Sequence, residues 1–363
     1  MTGPAPHGGA RLVLAAEPMV ALRVGDALDV LATLPEGSAD AVITDPPYAV
    51  GMDRWDTPAW FAGAAERHGL VLDGAGGRMA PFRAWTEAWA GECRRVLRPG
   101  GWLVCFGGAR TWHHAALGIE QAGLEIRDQI AWLYTSGVPK SLDMSNAVDQ
   151  HLGRARADRR VGKPAAGVLG SRKVSERGRP VTPEAGRWDG WGTALAPAFE
   201  PVIVARNPTR STVAANLLAH GVGAINIDAG RGPDGRWPKN AALDDRAAAI
   251  LDRHCAARPG DRSGMFPVFP AFRHHPKAPA SERPVVDGVF HQTVKPLGLM
   301  RWLCRLFCPP GGTVLDPFAG TGTTLLAARQ SGMAAVGIEI DPAHIPLIQA
   351  RLAHADASPE PMI

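Results

Sequence analysis

Cysteine is scarce in this sequence and never clustered. Cys93, Cys105, Cys255, Cys304 and Cys308 form no Cys-x-x-Cys pair. Cys304 and Cys308 stand one helical turn apart and are expected to pack rather than bind metal. Lone reduced thiols suit a cytosolic protein better than a secreted one. No run of 18 apolar residues is present, so no membrane-spanning helix is expected. Leu12-Val13-Leu14 is too short for a signal or membrane segment. Neither sign of charge dominates: 39 Lys and Arg against 35 Asp and Glu leave a net charge of +4. That balance permits a polyanionic partner without demanding one. No internal repeat is visible, so a repeat architecture is not expected. The Arg273-His274-His275 stretch has no carboxylate, third His or Cys at a zinc spacing, and no metal is assigned to it.

What is present suits an α/β protein. The 363 residues suffice for a full core plus an insertion or small second domain. The hydrophobic share of 45% and charged share of 20% are ordinary for a soluble globular chain. Gly and Pro, 42 and 32 in number, concentrate in the middle and suggest long loops there. Met1 to Ala10 is Gly/Pro-rich and expected to be frayed, and 1–18 as a whole is expected to be disordered or loosely ordered.

Patterning predicts strands at Val20–Val24, Asp40–Thr44, Trp102–Phe106, Glu125–Tyr134, Phe199–Ala205, Thr313–Leu315 and Ala334–Ile340. It predicts helices at Leu28–Leu34, Phe82–Leu97, Thr111–Ala122, Val213–Gly221, Leu297–Phe307 and Leu325–Ser331. Residues 49–77 read as an irregular, Gly- and Trp-rich loop able to close over a substrate. Ala224–Ile227 reads as a short extended piece. Between His151 and Pro180 nine Lys and Arg face only Asp158 and Glu176. This basic loop is a candidate for phosphate contacts, which need positive charge more than fixed geometry.

The stretch Thr44-Asp45-Pro46-Pro47-Tyr48 follows the buried strand Ala41-Val42-Ile43. Open α/β sheets place ligands at the carboxyl ends of strands. Two prolines fix φ and remove two backbone donors, so the Asp45 and Pro46 carbonyls can point at a ligand. An acidic acceptor, a rigid carbonyl and an aromatic face make a receptor for a planar ring bearing NH₂. Asp26 also lies just beyond a strand, on the same edge, and can serve as a helix N-cap.

The second motif is Asp316-Pro317-Phe318-Ala319-Gly320-Thr321-Gly322-Thr323-Thr324, set between a strand and a helix. Glu339, 19 positions after Gly320, ends the following strand ahead of Asp341. Glycines allow close backbone approach, and a distant acid can accept from ribose hydroxyls. Leu325 stands where a dinucleotide fingerprint needs its third glycine, and no Walker lysine follows. The loop has no basic anchor for phosphates, so a nucleoside without a phosphate chain fits better, with S-adenosylmethionine the obvious one.

With these residues the sequence resembles the amino-group DNA methyltransferases of the N6-adenine/N4-cytosine family, in their β-type motif order. Asp45-Pro46-Pro47-Tyr48 is similar to the catalytic motif and Asp316 to Thr324 to the methyl-donor loop. His291-Gln292-Thr293-Val294-Lys295-Pro296 is similar to the family's His-Pro-Thr-x-Lys-Pro segment, with Gln292 in place of Pro. Ser136–Ser141, Gly192–Leu195 and Glu200–Arg206 also resemble stretches of prophage and restriction-type members.

The resemblance implies a Rossmann-like seven-strand, mostly parallel twisted sheet with helices on both faces, plus loop-rich insertions for target recognition. It implies a catalytic half at 19–140, a basic or target-recognition insertion at 141–195 and a return to the sheet at 196–230. A loop-rich target-recognition candidate follows at 231–290, then the donor half at 291–356 and a tail at 357–363. S-adenosylmethionine is the implied donor, with Asp26 at its adenine, Glu339 at its ribose and Lys295 at its carboxylate. Asp316, Pro317, Phe318, Gly320, Thr321, Gly322, Thr323 and Asp341 complete that site.

Asp45, Pro46, Pro47 and Tyr48 are the implied catalytic set. An aspartate-initial motif points to adenine N6; cytosine N4 is the alternative, and RNA or protein methylation a more distant one. The implied partner is double-stranded DNA, with the target base flipped out. A homodimer and a cognate restriction endonuclease are compatible with the resemblance, as is a cytoplasmic setting of bacterial, prophage or plasmid type.

Overall fold

The computed structural model describes residues 11–15, 19–51, 54–72, 74–135, 137, 141–154, 180–231, 235, 237–244, 247, 273–274, 277–291 and 293–356. Most of the basic stretch between His151 and Pro180, Gln292 and most of 231–276 lie outside them. The strands are β1 (Arg11–Ala15), β2 (Val20–Val24), β3 (Ala39–Thr44), β4 (Leu97–Phe106), β5 (Glu125–Leu133) and β6 (Phe199–Arg206). They continue with β7 (Ala241–Leu243), β8 (Arg273–His274), β9 (Val285–Val286), β10 (Val289–Phe290), β11 (Thr313–Asp316) and β12 (Ala334–Glu339).

Ten of these strands form one sheet in the order β1-β2-β12-β11-β3-β4-β6-β5-β7-β8. The expected seven strands are its central run, β2 to β5; the short β1, β7 and β8 extend the edges. β2, β12, β11, β3 and β4 are mutually parallel, and β6 runs antiparallel to β4. β11 lies between β12 and β3, so the chain leaves the sheet centre in one direction after β11 and in the other after β3. Such a switch point is where open α/β sheets bind ligands.

The helices are α1 (Ala27–Leu31), α2 (Pro58–Arg67), α3 (Ala80–Val96), α4 (Trp112–Gln121), α5 (Met144–His151) and α6 (Pro183–Gly186). Then come α7 (Val213–His220), α8 (Ile227–Gly230), α9 (Leu297–Phe307), α10 (Thr323–Gln330) and α11 (Ile345–Asp356). One face of the sheet carries Val42, Leu103, Leu315 and Ile338 against Leu31, Phe61, Trp85, Trp89 and Ile119 of α1 to α4. Neighbouring strand residues point to opposite faces. Trp102, beside Leu103, accordingly meets Phe307 of α9 on the other face, ring centroids 5.5 Å apart.

Three local expectations change. Within the start expected to be loosely ordered, residues 11–15 form β1 and pair antiparallel with β2. Residues 49–77 are not irregular throughout, because α2 occupies their middle. Thr57 accepts from the Trp60 N–H, Pro58 sits in the first turn, and Phe61, Ala64 and Ala65 are buried. Ala224–Ile227 is not extended either: Asn226 accepts from the Ala229 N–H and starts the one-turn α8. Cys304 and Cys308 are both buried, as packing residues are.

The chain divides into two compact units, 134–199 and the remainder. Within 134–199, buried Asp149 on α5 accepts from the Val181 N–H at 3.0 Å and the Thr182 hydroxyl at 2.8 Å. Thr182 in turn caps α6. Among the described residues no helix is long and apolar enough to cross a membrane.

Candidate active site

Four carboxylates end four consecutive strands on one edge of the sheet. Asp26 follows β2, Glu339 ends β12, Asp316 ends β11 and Asp45 follows β3. The register explains this: Glu339 pairs with Val24, Asp316 with Gly337, and Leu315 with Val42. The Thr44 hydroxyl donates to Asp316 Oδ1 at 2.7 Å and couples the two motif strands directly.

At the β3 end, Tyr48 Oη donates to Asp45 Oδ1 at 2.5 Å. The Tyr48 carbonyl accepts from the Thr111 hydroxyl at 2.6 Å, which sets the turn against the start of α4. Lys295 Nζ donates to Asp45 Oδ2 at 2.5 Å and to Tyr48 Oη at 3.1 Å. The same ammonium lies 3.3 Å from Glu200 Oε2 and 4.8 Å from the centre of the Phe106 ring. Burial works to lower the Lys295 pKa, but the Asp45 and Glu200 carboxylates outweigh it and hold the ammonium above its ordinary value. Burial, then the charges of Asp45 and Glu200, push the Tyr48 phenol well above its usual value, so it stays a donor. Lys295 is expected from sequence at the donor's carboxylate; the fold brings its ammonium to Asp45 and Tyr48.

The β11 end is made chiefly of backbone. Gly320 (φ 54°) and Gly322 (φ 73°) both take left-handed conformations. A Cβ on Gly322 would press to 2.9 Å from Ile348, whereas one on Gly320 would meet His291 Nε2 at 3.8 Å and the Phe318 carbonyl at 4.0 Å, both ordinary contact distances. Packing therefore requires glycine at 322, whereas at 320 it is the left-handed backbone that favours it. Glu339 Oε2 accepts from the Gly320 N–H at 2.7 Å, and Oε1 accepts from the Asp341 N–H at 2.9 Å. His344 Nδ1 is 3.2 Å from Oε1, with the His291 ring beside it. Burial first, then His344, lowers the His291 pKa, so its imidazole is neutral near pH 7.

Asp316 is buried, and burial raises its pKa to about 6 against the hydrogen bonds from Thr324, Thr44 and the Phe318 N–H. Phe318 turns toward Trp85 and Trp89, at ring distances of 5.3 and 5.5 Å. The Thr321 and Thr323 hydroxyls accept from Arg351 Nη1 at 3.0 and 2.5 Å. Pro317 is buried beneath the loop. Asp26 caps α1 by accepting from the Leu28 N–H at 3.0 Å, and His68 Nε2 lies 3.6 Å from it. Asp341 accepts from Arg54 at 2.6 Å and caps the turn at 342–344.

Sequence reasoning missed Glu200, Arg351, His291 and His344 as members of this site. His291 stands in a quoted motif and Glu200 opens the Glu-Pro-Val-Ile-Val-Ala strand, so both had a local signal. Arg351 had none, being one of many arginines on an ordinary helix. Among the described residues no group of three or more His, Cys, Asp or Glu could hold a metal ion.

A family model described as a DNA methylase matches residues 39–350. The Type II methyltransferase M.HindIII of Haemophilus influenzae is 26% identical over 337 residues, covering 86% of this chain and 89% of its own. The Type II methyltransferase M.HpaI of Haemophilus parainfluenzae is 30% identical over 128 residues, covering 35% of this chain and 36% of its own. Among solved structures, the cytosine-N4-specific PvuII DNA methyltransferase superposes with a TM-score of 0.49 at 14% identity, covering 94% of this chain and 89% of that one.

Proposed function

The chain belongs to the DNA methylase family, and from that premise we propose that it methylates adenine N6 within a defined sequence of duplex DNA, using S-adenosylmethionine. The observation that carries the reading is the Thr44–Asp316 hydrogen bond of 2.7 Å, because it sets the acceptor motif and the Gly loop side by side. Both relatives are Type II methyltransferases, which supports action at a specific site.

The residues fit the donor. The left-handed Gly320 without a side chain, the carboxylates of Glu339 and Asp26 on neighbouring strand ends, and a loop carrying no Lys or Arg of its own suit a nucleoside with no phosphate. Gly320 to Thr323 would hold its body, Glu339 its ribose and Asp26 its adenine. When bound, S-adenosylmethionine supplies an electrophilic methyl group on a sulfonium.

The acceptor nitrogen is a poor nucleophile because its lone pair is delocalised into the ring. Asp45 and the Pro46 carbonyl accept its two N–H bonds, which concentrates electron density on nitrogen and favours tetrahedral geometry. Among the described residues no hydrogen bond engages the Pro46 carbonyl. Tyr48 presents its ring to the flipped base beside an apolar recess walled by Pro47, Phe106 and Trp112; such stacking returns about 1–3 kcal/mol of the unstacking cost. Asp45 is the first acceptor of the proton shed after transfer. The aspartate at the head of the motif supports adenine over cytosine.

The test is transfer of labelled methyl to duplex DNA, RNA and protein in parallel, followed by mass analysis of the digested nucleosides. N6-methyladenine in DNA, lost in Asp45→Ala, is the expected outcome. N4-methylcytosine would replace the adenine assignment, and label confined to RNA or protein would overturn the DNA reading.

A further inference from the structure

Glu200 has no part in the reaction as derived above, yet its carboxylate is built into the site. It stands near the start of β6, the strand antiparallel to β4, in a partly buried position. Its Oε2 lies 3.3 Å from Lys295 Nζ and 3.4 Å from Tyr48 Oη. Lys295 is thus one ammonium between two carboxylates, with 9% of its side chain exposed.

The charge balance shows why the second carboxylate matters. With Asp45 as its sole partner, Lys295 would form a neutral pair. That ammonium would compete for the oxygens that must accept the substrate N–H bonds, and it would repel the positive charge arriving on the amine nitrogen. In a partly desolvated site such repulsion acts with little screening. With Glu200 present the cluster keeps one net negative charge, and Lys295 has a second anchor to turn to. We propose that Glu200 is a positioning residue for methyl transfer: it draws the Lys295 ammonium away from Asp45 as the amine docks, and it keeps the site anionic. The proposal rests on the methyl-transfer reading of the site.

The experiment is steady-state methylation of duplex DNA by the full-length wild type, Glu200→Gln, Glu200→Asp, Lys295→Met and the Glu200→Gln/Lys295→Met double variant. Donor affinity is measured in parallel by calorimetry. Glu200→Gln is expected to lower kcat by about ten- to a hundredfold, with donor affinity and both KM values within about twofold of wild type. Glu200→Asp restores part of the loss. The kcat of Glu200→Gln should climb at alkaline pH, where Lys295 with one carboxylate partner loses its proton before the wild-type lysine does. The double variant should lose less than the product of the two single losses, as coupled groups do.

A Glu200→Gln kcat within about twofold of wild type overturns the proposal. So does a loss confined to KM or donor affinity, or strict multiplicativity of the two single losses. A wild type that methylates no DNA overturns the underlying reading and the proposal with it, whereas an active wild type with a silent Glu200→Gln overturns the proposal alone.

Discussion

Four side chains from three distant stretches, Asp45 and Tyr48, Glu200 and Lys295, meet at the end of β3 and interact through charge. The loop after β11 is closed by its own backbone, by Glu339 on the adjoining strand and by a single guanidinium, Arg351. The two ends are neighbours in one sheet, yet they obey different rules. The charged end is expected to respond most to changes of charge, because three charged groups and the Tyr48 hydroxyl lie within hydrogen-bond or ion-pair distance of one another. The backbone end depends on volume at its glycines and on the one guanidinium that holds Thr321 and Thr323, because left-handed φ values and those hydrogen bonds define it.

The largest effect expected is at the charged end. Asp45→Ala removes the acceptor that both Tyr48 and Lys295 address, and methyl transfer should fall at least about a thousandfold. Donor affinity measured by calorimetry should persist; near-normal turnover would break the comparison at its centre. Next is Gly320→Val. A branched side chain at φ 54° is strained and fills the space beside His291, so donor affinity should drop about a hundredfold. Unchanged affinity would show that volume does not govern this end.

A smaller effect sharpens the contrast. Arg351→Met leaves the Thr321 and Thr323 hydroxyls without their donor, which should weaken donor binding roughly tenfold while kcat at saturation holds. A kcat loss with normal affinity would move Arg351 to the other side of the comparison.

The smallest is a pH effect on stability at Asp316. Its pKa is raised by burial from 3.8 to about 6. Below 3.8 the carboxyl is protonated in both folded and unfolded chains. As pH rises toward 6 the unfolded chain ionises first, so the wild type loses stability across that window. Asp316→Asn, which can still accept from Thr44 and Phe318, lacks this loss. Its unfolding free energy should gain on the wild type between those pH values, by about 3 kcal/mol. Parallel curves would show that Asp316 is ionised throughout.

Much of the fold was legible because its signals are local. β2 and α9 match their expected bounds, and most of the other expected elements differ by a residue or a few at their ends; β4 begins five residues early, and β1, β7 to β10, α2, α5, α6, α8 and α11 were not expected as elements. The expected segments carry continuous apolar runs or a clear helical stripe between Gly and Pro stops. α2 was hidden because its cue is a Thr57-Pro58 cap followed by a short alanine-rich turn, within a stretch whose glycines read as loop. α8 was hidden because one turn of helix has no periodicity to read. Of the site, Asp45 to Tyr48 and Gly320 to Glu339 were visible, since each is a compact word in a strand context.

The sequence by itself determined the seven central strands, the two motifs at the carboxyl ends of β3 and β11, and the spacing from Gly320 to Glu339. These follow from backbone preferences and apolar patterning within about twenty residues, and neither depends on the rest of the chain. Only the tertiary structure decided that Thr44 would bond Asp316, 272 positions away, and that Lys295 would reach Asp45 across 250. It alone set Glu200 beside that pair and Arg351 beneath the glycine loop. Those contacts depend on strand order and register, which place β11 next to β3 and β6 next to β4, and no local preference encodes a neighbour that far along the chain.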